Sequence, residues 1–146
     1  MIRDISRQTE QPEVKELLGY AVFADDEVAL AAAASIYESG AARLYGYEED
    51  GILVGAIGVE EHAEDREIVI KHIAVVPENR GKGYGRGLVL DMLLELPHQP
   101  ERVIAETDEE AVQFYRNIGF EVYSLGELYP GVERFRCVYE VEQHED

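Results

Sequence analysis

The chain has 146 residues, with 31 acidic against 13 basic side chains, a net charge of −18 and a single cysteine, Cys137. That balance excludes a nucleic-acid binder, since neutralising phosphates needs basic patches, and the lone cysteine excludes an internal disulfide and suggests a reducing compartment. The acid excess reads as solubility or salt adaptation, and it is also compatible with a cationic or amine substrate drawn in by the field.

No apolar run approaches the ~20 residues a membrane span requires, and no signal peptide is visible, so a cytoplasmic protein with no membrane partner is expected. The alanine-rich stretch 29–34 is too short for either. Repeats, low-complexity linkers and composition breaks are absent. A single domain over residues 1–146, with one core, is therefore expected, as a monomer or homodimer.

In chain order, residues 2–5 suit a short first strand. Gln11, Pro12 and Glu13 mark a helix start, with Pro in the first turn and acid beside it, and Val14, Leu17, Leu18 and Ala21 form its apolar stripe. A second helix is predicted from Asp25, Asp26 and Glu27 to Ser39, with Gly40 at C′. Strands follow over residues 43–47 and 52–60, joined by a turn at Glu49, Asp50 and Gly51. A polar turn over 61–66 returns into a strand over 68–76, apolar almost throughout, as for a central strand covered on both faces. A helix over 83–95 is stopped by Pro97. Then come a strand at 103–105, a helix over 109–118 opened by Thr107, Asp108, Glu109 and Glu110 as cap and first-turn acids, and a closing pair of strands over 120–124 and 133–141.

The segment joining the apolar strand to its following helix carries the chemistry. Residues 73–87 read I-A-V-V-P-E-N-R-G-K-G-Y-G-R-G, with Arg80, Lys82 and Arg86 and no acid among them. Cations at a helix start oppose the macrodipole, which favours negative charge there. Gly81, Gly83 and Gly85 admit close approach and positive φ. Free first-turn N–H groups beside them make an anion site, and a phosphate or pyrophosphate is the inferred ligand. The competing reading leaves Lys82 and Arg86 as solvated surface cations. Lys82-Gly83 lacks the spacing and hydroxyl of a P-loop. Neither Gly81-x-Gly83 nor Gly83-x-Gly85 has the third glycine of a dinucleotide fingerprint.

What fits is R-x-x-G-x-G at Arg80, Gly83 and Gly85 after a strand ending V-x-P. It resembles the acyl-CoA pyrophosphate loop of the GNAT (Gcn5-related N-acetyltransferase) superfamily. Residues 111–120, A-V-Q-F-Y-R-N-I-G-F, are similar to that family's second signature, a helix leading into a strand. The resemblance covers residues 43–141; the first forty residues match only in being helical.

It implies an α/β (α+β) fold of the order ααβββαβαββ: a mixed, mostly antiparallel sheet, splayed at two central parallel strands to admit the cofactor, with helices on both faces. It implies a CoA-dependent N-acyltransferase moving acetyl from acetyl-CoA to a primary amine, small or peptidic, by direct attack in a ternary complex. The pantetheine arm would pair with the backbone of Ile73, Ala74 and Val75, where one N–H would hold the developing oxyanion. Arg80, Gly81, Lys82, Gly83, Tyr84, Gly85 and Arg86 would grip the diphosphate, mainly through main-chain N–H groups. Tyr115 would be the general acid that protonates the CoA thiolate; the competing reading is a core tyrosine, one of nine.

For the general base, relatives that carry a glutamate in the fourth strand have Ile68, Val69 and Ile70 in its place here. Glu106 is the first choice and Glu60 the second; His72 has a suitable ordinary pKa, but a lone histidine in an apolar strand is more often a satisfied core residue. An asparagine frequent in the family a turn or two before the tyrosine is replaced by Thr107, Asp108, Glu109 and Glu110. No metal is expected, since His62, His72, His98 and His144 share no ligand spacing with one another or with Cys137, and an acyl-cysteine route through Cys137 is not expected. The acceptor would be recognised by the first two helices, their loop and the 125–133 hairpin. The alternatives are a CoA-binding sensor without turnover and a transferase of a longer acyl group.

Overall fold

The computed structural model describes residues 2–22 and 27–141, with the Leu128 side chain left aside. Asp25, Asp26 and His144 lie outside the described residues. The elements run β1 (Ile2–Asp4), α1 (Pro12–Ala21), α2 (Glu27–Glu38), β2 (Arg43–Glu49), β3 (Ile52–His62), β4 (Glu67–Val75), α3 (Tyr84–Glu95), β5 (Arg102–Asp108), α4 (Glu109–Asn117), β6 (Glu121–Tyr129) and β7 (Val132–Glu140). The strands form one mixed seven-stranded sheet in the order β1-β2-β3-β4-β5-β7-β6. No helix among the described residues is long and apolar enough to cross a membrane.

Two compact units divide the chain, and β4 contributes to both. The first comprises the residues up to Glu60 with Lys71–Pro97. Here β1, β2 and β3 pair antiparallel, and the β2–β3 turn places Asp50 and Gly51 at φ of 53° and 79°. Both central residues at positive φ give the turn the twist that a two-residue hairpin needs. Ile5, Val14, Leu17, Leu18, Tyr37, Leu44, Ala56 and Ala74 form one apolar cluster from α1, α2 and the strands. Side chains alternate across a strand. Ala56 and Ala74 thus turn toward α1 and α2, whereas a Cβ added to Gly55 would meet Leu88 of α3 at 3.0 Å and the Ala74 carbonyl at 3.1 Å. Helices therefore cover opposite faces of this half-sheet, and Gly55 lets α3 lie close against its backbone.

The second unit comprises Glu61–Ile70 and the residues from His98 onward. Its parallel pairing joins Glu67, Ile68 and Val69 to Arg102, Val103 and Ile104. Within this unit β5 is paired with β7 as far as Asp108 and Arg134. Asp108 caps α4 by accepting from the Glu110 and Ala111 amides at 3.0 and 3.1 Å, one carboxylate satisfying two of the helix's orphan donors.

The strands differ from the expectation in extent. The expected strands over 120–124 and 133–141 are longer at their junction: β6 and β7 reach to a turn at Pro130 and Gly131, so most of the 125–133 hairpin is strand. Gly126, at φ 84°, is absorbed by one of two register shifts along that ladder. β4 is less covered than its apolar sequence suggests, because Lys71 is exposed and pairs with Glu60 at 3.2 Å.

Candidate functional site

In the first unit, β4 leads through Val76 and a short 3-10 turn, Pro77–Asn79, into the basic glycine-rich turn. Ile73 and Val75 are half-buried and Ala74 is buried, so the backbone of these three residues is held by a packed strand. Gly81 and Gly83 take φ of 80° and 86°, and a Cβ at either would meet nothing within 4 Å. Left-handed backbone, and not crowding, is what requires glycine here. Gly83 is the N-cap of α3 and no side chain caps that end. Its first-turn N–H groups therefore stay open to an anion, with the macrodipole favouring negative charge. Gly85 is buried in the first turn. Lys82 and Arg86 are exposed, and neither has an ion-pair partner among the described residues.

Two members of the turn are tied to the scaffold. The Arg80 Nε donates to the Val75 carbonyl at 3.0 Å, and its guanidinium carbon lies 5.4 Å from the centre of the Tyr20 ring at the end of α1. One arginine thus braces the turn against its own strand and against α1. The Tyr84 hydroxyl donates to the Glu49 carboxylate, and its ring meets Tyr47 edge-on at 5.6 Å. Tyr20, Tyr47 and Glu49 escaped the sequence reading, since partners 35 to 60 positions away leave no local pattern.

Beneath β4, the Tyr37 hydroxyl and the His72 Nδ1 lie 2.6 Å apart, with the rings edge to face at 5.6 Å. Burial pushes the phenol's pKa up; burial, and then neighbouring Lys71, hold the imidazole below its ordinary value. Space for the phenol comes from Gly58 in β3, where a Cβ would sit 1.6 Å from the Tyr37 oxygen. A glycine inside a strand signals such a close approach, and it was the one clue the sequence offered.

In the second unit, Tyr115 is 6% exposed on α4, edge to face with Phe114 at 5.1 Å and with Phe120 at 5.3 Å. Among the described residues its hydroxyl has no hydrogen-bond partner. Burial first, then Cys137, pushes this phenol up. Glu106 is exposed on β5, opposite Arg136 of β7 in register. Cys137 is fully buried, and burial raises its thiol despite Arg116, which makes it a poor nucleophile.

Comparison with known proteins identifies the family and the fold. The family described as Acetyltransferase (GNAT) domain matches residues 4–129. An aminoglycoside 6'-N-acetyltransferase solved with coenzyme A superposes with a TM-score of 0.80 at 14% identity, over 100% of this chain and 99% of that one. A spermidine N-acetyltransferase from Vibrio cholerae gives 0.71 at 17% identity, over 96% and 94%. A GNAT family acetyltransferase from Elizabethkingia anophelis with acetyl-CoA bound gives 0.69 at 16% identity, over 97% of each. Likenesses this distant in sequence speak for the fold, and the family match covers most of the chain: the protein belongs to the GNAT acetyltransferases and is an acyltransferase of that type.

Proposed function

We propose that the chain is a single cytoplasmic domain that transfers acetyl from acetyl-CoA to a primary amine by direct attack in a ternary complex. The observation that carries this reading is the open, uncapped N-terminus of α3, with left-handed Gly81 and Gly83 and the exposed cations Lys82 and Arg86 at its mouth. An anion there gains main-chain donors, the dipole and two charges together. The diphosphate of CoA is that anion, with Arg80 shaping the turn and Tyr84 opening the helix. The pantetheine arm adds to the backbone of Ile73, Ala74 and Val75 as an extra strand.

The amine nitrogen attacks the thioester carbon, a backbone N–H of β4 stabilises the oxyanion, and the carbon–sulfur bond breaks as the carbonyl re-forms. Tyr115 is the general acid for the departing thiolate. Its raised pKa keeps its proton in place throughout the neutral range, so it hydrogen-bonds the sulfur as charge develops and the thiolate leaves toward water, from which it is protonated. The ammonium proton goes to a carboxylate, directly or through water. Glu106 is our choice, because Glu60 is engaged by Lys71 and His72 by Tyr37. Acceptor recognition falls to α1, α2, their connection and the β6–β7 hairpin.

A thiol-release assay with acetyl-CoA and a library of primary amines tests the reading. Transfer to at least one amine is expected. Tight CoA binding with release for none would indicate a sensor, and bound longer acyl-CoA in the mass spectrum of the purified protein would indicate another donor.

A further inference from the structure

The hydrogen bond between Tyr37 and His72 has a consequence for substrate choice, which rests on the transferase reading above. The Tyr37 phenol is 2% exposed, and His72 Nδ1 is its one hydrogen-bond partner among the described residues. If Nδ1 carried the proton, the phenol would accept it and its own O–H would be left in a buried pocket without an acceptor. That arrangement costs the desolvation of a donor, whereas donation from the phenol to a bare Nδ1 satisfies both groups. His72 is then neutral with its proton on Nε2. Nε2 itself has no hydrogen-bond partner among the described residues, and no buried unpaired nitrogen occurs among them, so this N–H opens to solvent.

Its position gives the donor a use. His72 immediately precedes Ile73, Ala74 and Val75, about 3.3 Å along the strand from the first of them. It shares strand parity with Ala74, so its side chain leaves β4 on the face covered by α1 and α2, the elements assigned above to the acceptor. Room for this device is built in, since any side chain on Gly58 would expel the phenol.

We propose that Tyr37 fixes His72 as an Nε2–H imidazole and that this N–H donates to an oxygen of the acceptor, so that the preferred substrates are amines carrying a hydroxyl or carbonyl close to the reactive nitrogen. An ammonium or an alkyl chain has no lone pair to offer such a donor. As a protonated nitrogen cannot accept a second proton, His72 is a positioning residue for the acceptor and not the base that deprotonates it.

The experiment has two arms, both on the full chain. In the first, 15N NMR of the histidine-labelled protein at neutral pH reads the tautomer without any need for activity. Nε2 protonated and Nδ1 bare is expected, with the fixed tautomer lost in Tyr37→Phe; Nδ1 protonated overturns the proposal. In the second, kcat/KM is measured over an amine library divided into oxygen-bearing and oxygen-free members, for the wild type, His72→Gln and His72→Met. Glutamine presents an N–H near the place of Nε2, and methionine presents none. The wild type should favour oxygen-bearing amines by about tenfold or more, the worth of one hydrogen bond to an otherwise unpaired donor. His72→Gln should stay within about threefold of the wild type and His72→Met should lose about tenfold on the oxygen-bearing class alone, with CoA affinity unchanged in both. An active wild type in which glutamine is as damaging as methionine, or in which the two amine classes are used equally, overturns the donor role and leaves the transferase reading intact. A wild type that transfers to neither class contradicts both.

Discussion

Tyr115 holds its proton because burial, and then Cys137, push its phenol up, with the ring packed edge to face on Phe114 and Phe120. Replacing it with Phe keeps the packing and removes the hydroxyl proposed to hydrogen-bond the leaving sulfur. Tyr115→Phe should lower kcat by about 10²-fold, the low end of general acid catalysis, with the dissociation constant for CoA unchanged by calorimetry; an undiminished kcat would return Tyr115 to the core. His72 makes a separate prediction about stability. Burial and Lys71 hold its imidazole below the ordinary value of about 6.5, so at mildly acid pH the folded chain binds fewer protons than the unfolded one. Its contribution is therefore complete above about pH 6.5 and is lost as pH falls through the lower, folded value. Thermal melts from pH 7 to pH 5 should show a smaller fall in Tm for His72→Gln than for the wild type. Parallel curves would mean that the imidazole is not held neutral by folding. The motif F-Y-R-N-I-G-F is what singles Tyr115 out among nine tyrosines as a candidate, whereas nothing near Tyr37 announced a partner 35 residues away.

At the scale of elements, the helices were legible from capping and periodicity: Pro12 opens α1, Gly40 follows α2 at φ 84°, and Asp108 caps α4. Extents were less legible where one residue serves two elements. Asp108 both ends β5 and caps α4, so a sequence pattern read as a cap hid the last three of the strand's seven residues. The first closing strand was expected to stop at Ser124, but a bulge lets the ladder continue past Gly126. Two glycines test this scale. Gly58→Ala puts a Cβ 1.6 Å from the Tyr37 oxygen and 2.4 Å from its ring carbon, so the phenol must move. Such overpacking costs about 1–3 kcal/mol, to be read by denaturant unfolding; a neutral substitution would mean that Tyr37 does not occupy the space beneath β3. Gly83→Ala meets no steric obstacle but forces alanine to φ 86°. It should cost about 1 kcal/mol through the left-handed backbone and weaken CoA binding as the turn relaxes.

For the molecule as a whole, the charge of −18 and the cationic turn are two halves of one argument. A cluster of three cations in so acidic a chain stands out in sequence because nothing local balances it, and the fold leaves Lys82 and Arg86 exposed at the mouth of a helix whose dipole they oppose. Fold class was legible because two spaced motifs and the element order agree on it. The acceptor was not, since its recognition is expected from elements whose sequences carry no motif. The measurement that bears most directly on the central claim is a calorimetric titration of coenzyme A into the wild type and into the Lys82→Glu, Arg86→Glu double variant, whose fold is checked by its melting curve. The account predicts saturable 1:1 binding by the wild type and a loss of at least about tenfold in the folded variant, as expected when two charge-assisted contacts become repulsive. No heat from the wild type, or equal affinities for the two proteins, would contradict it.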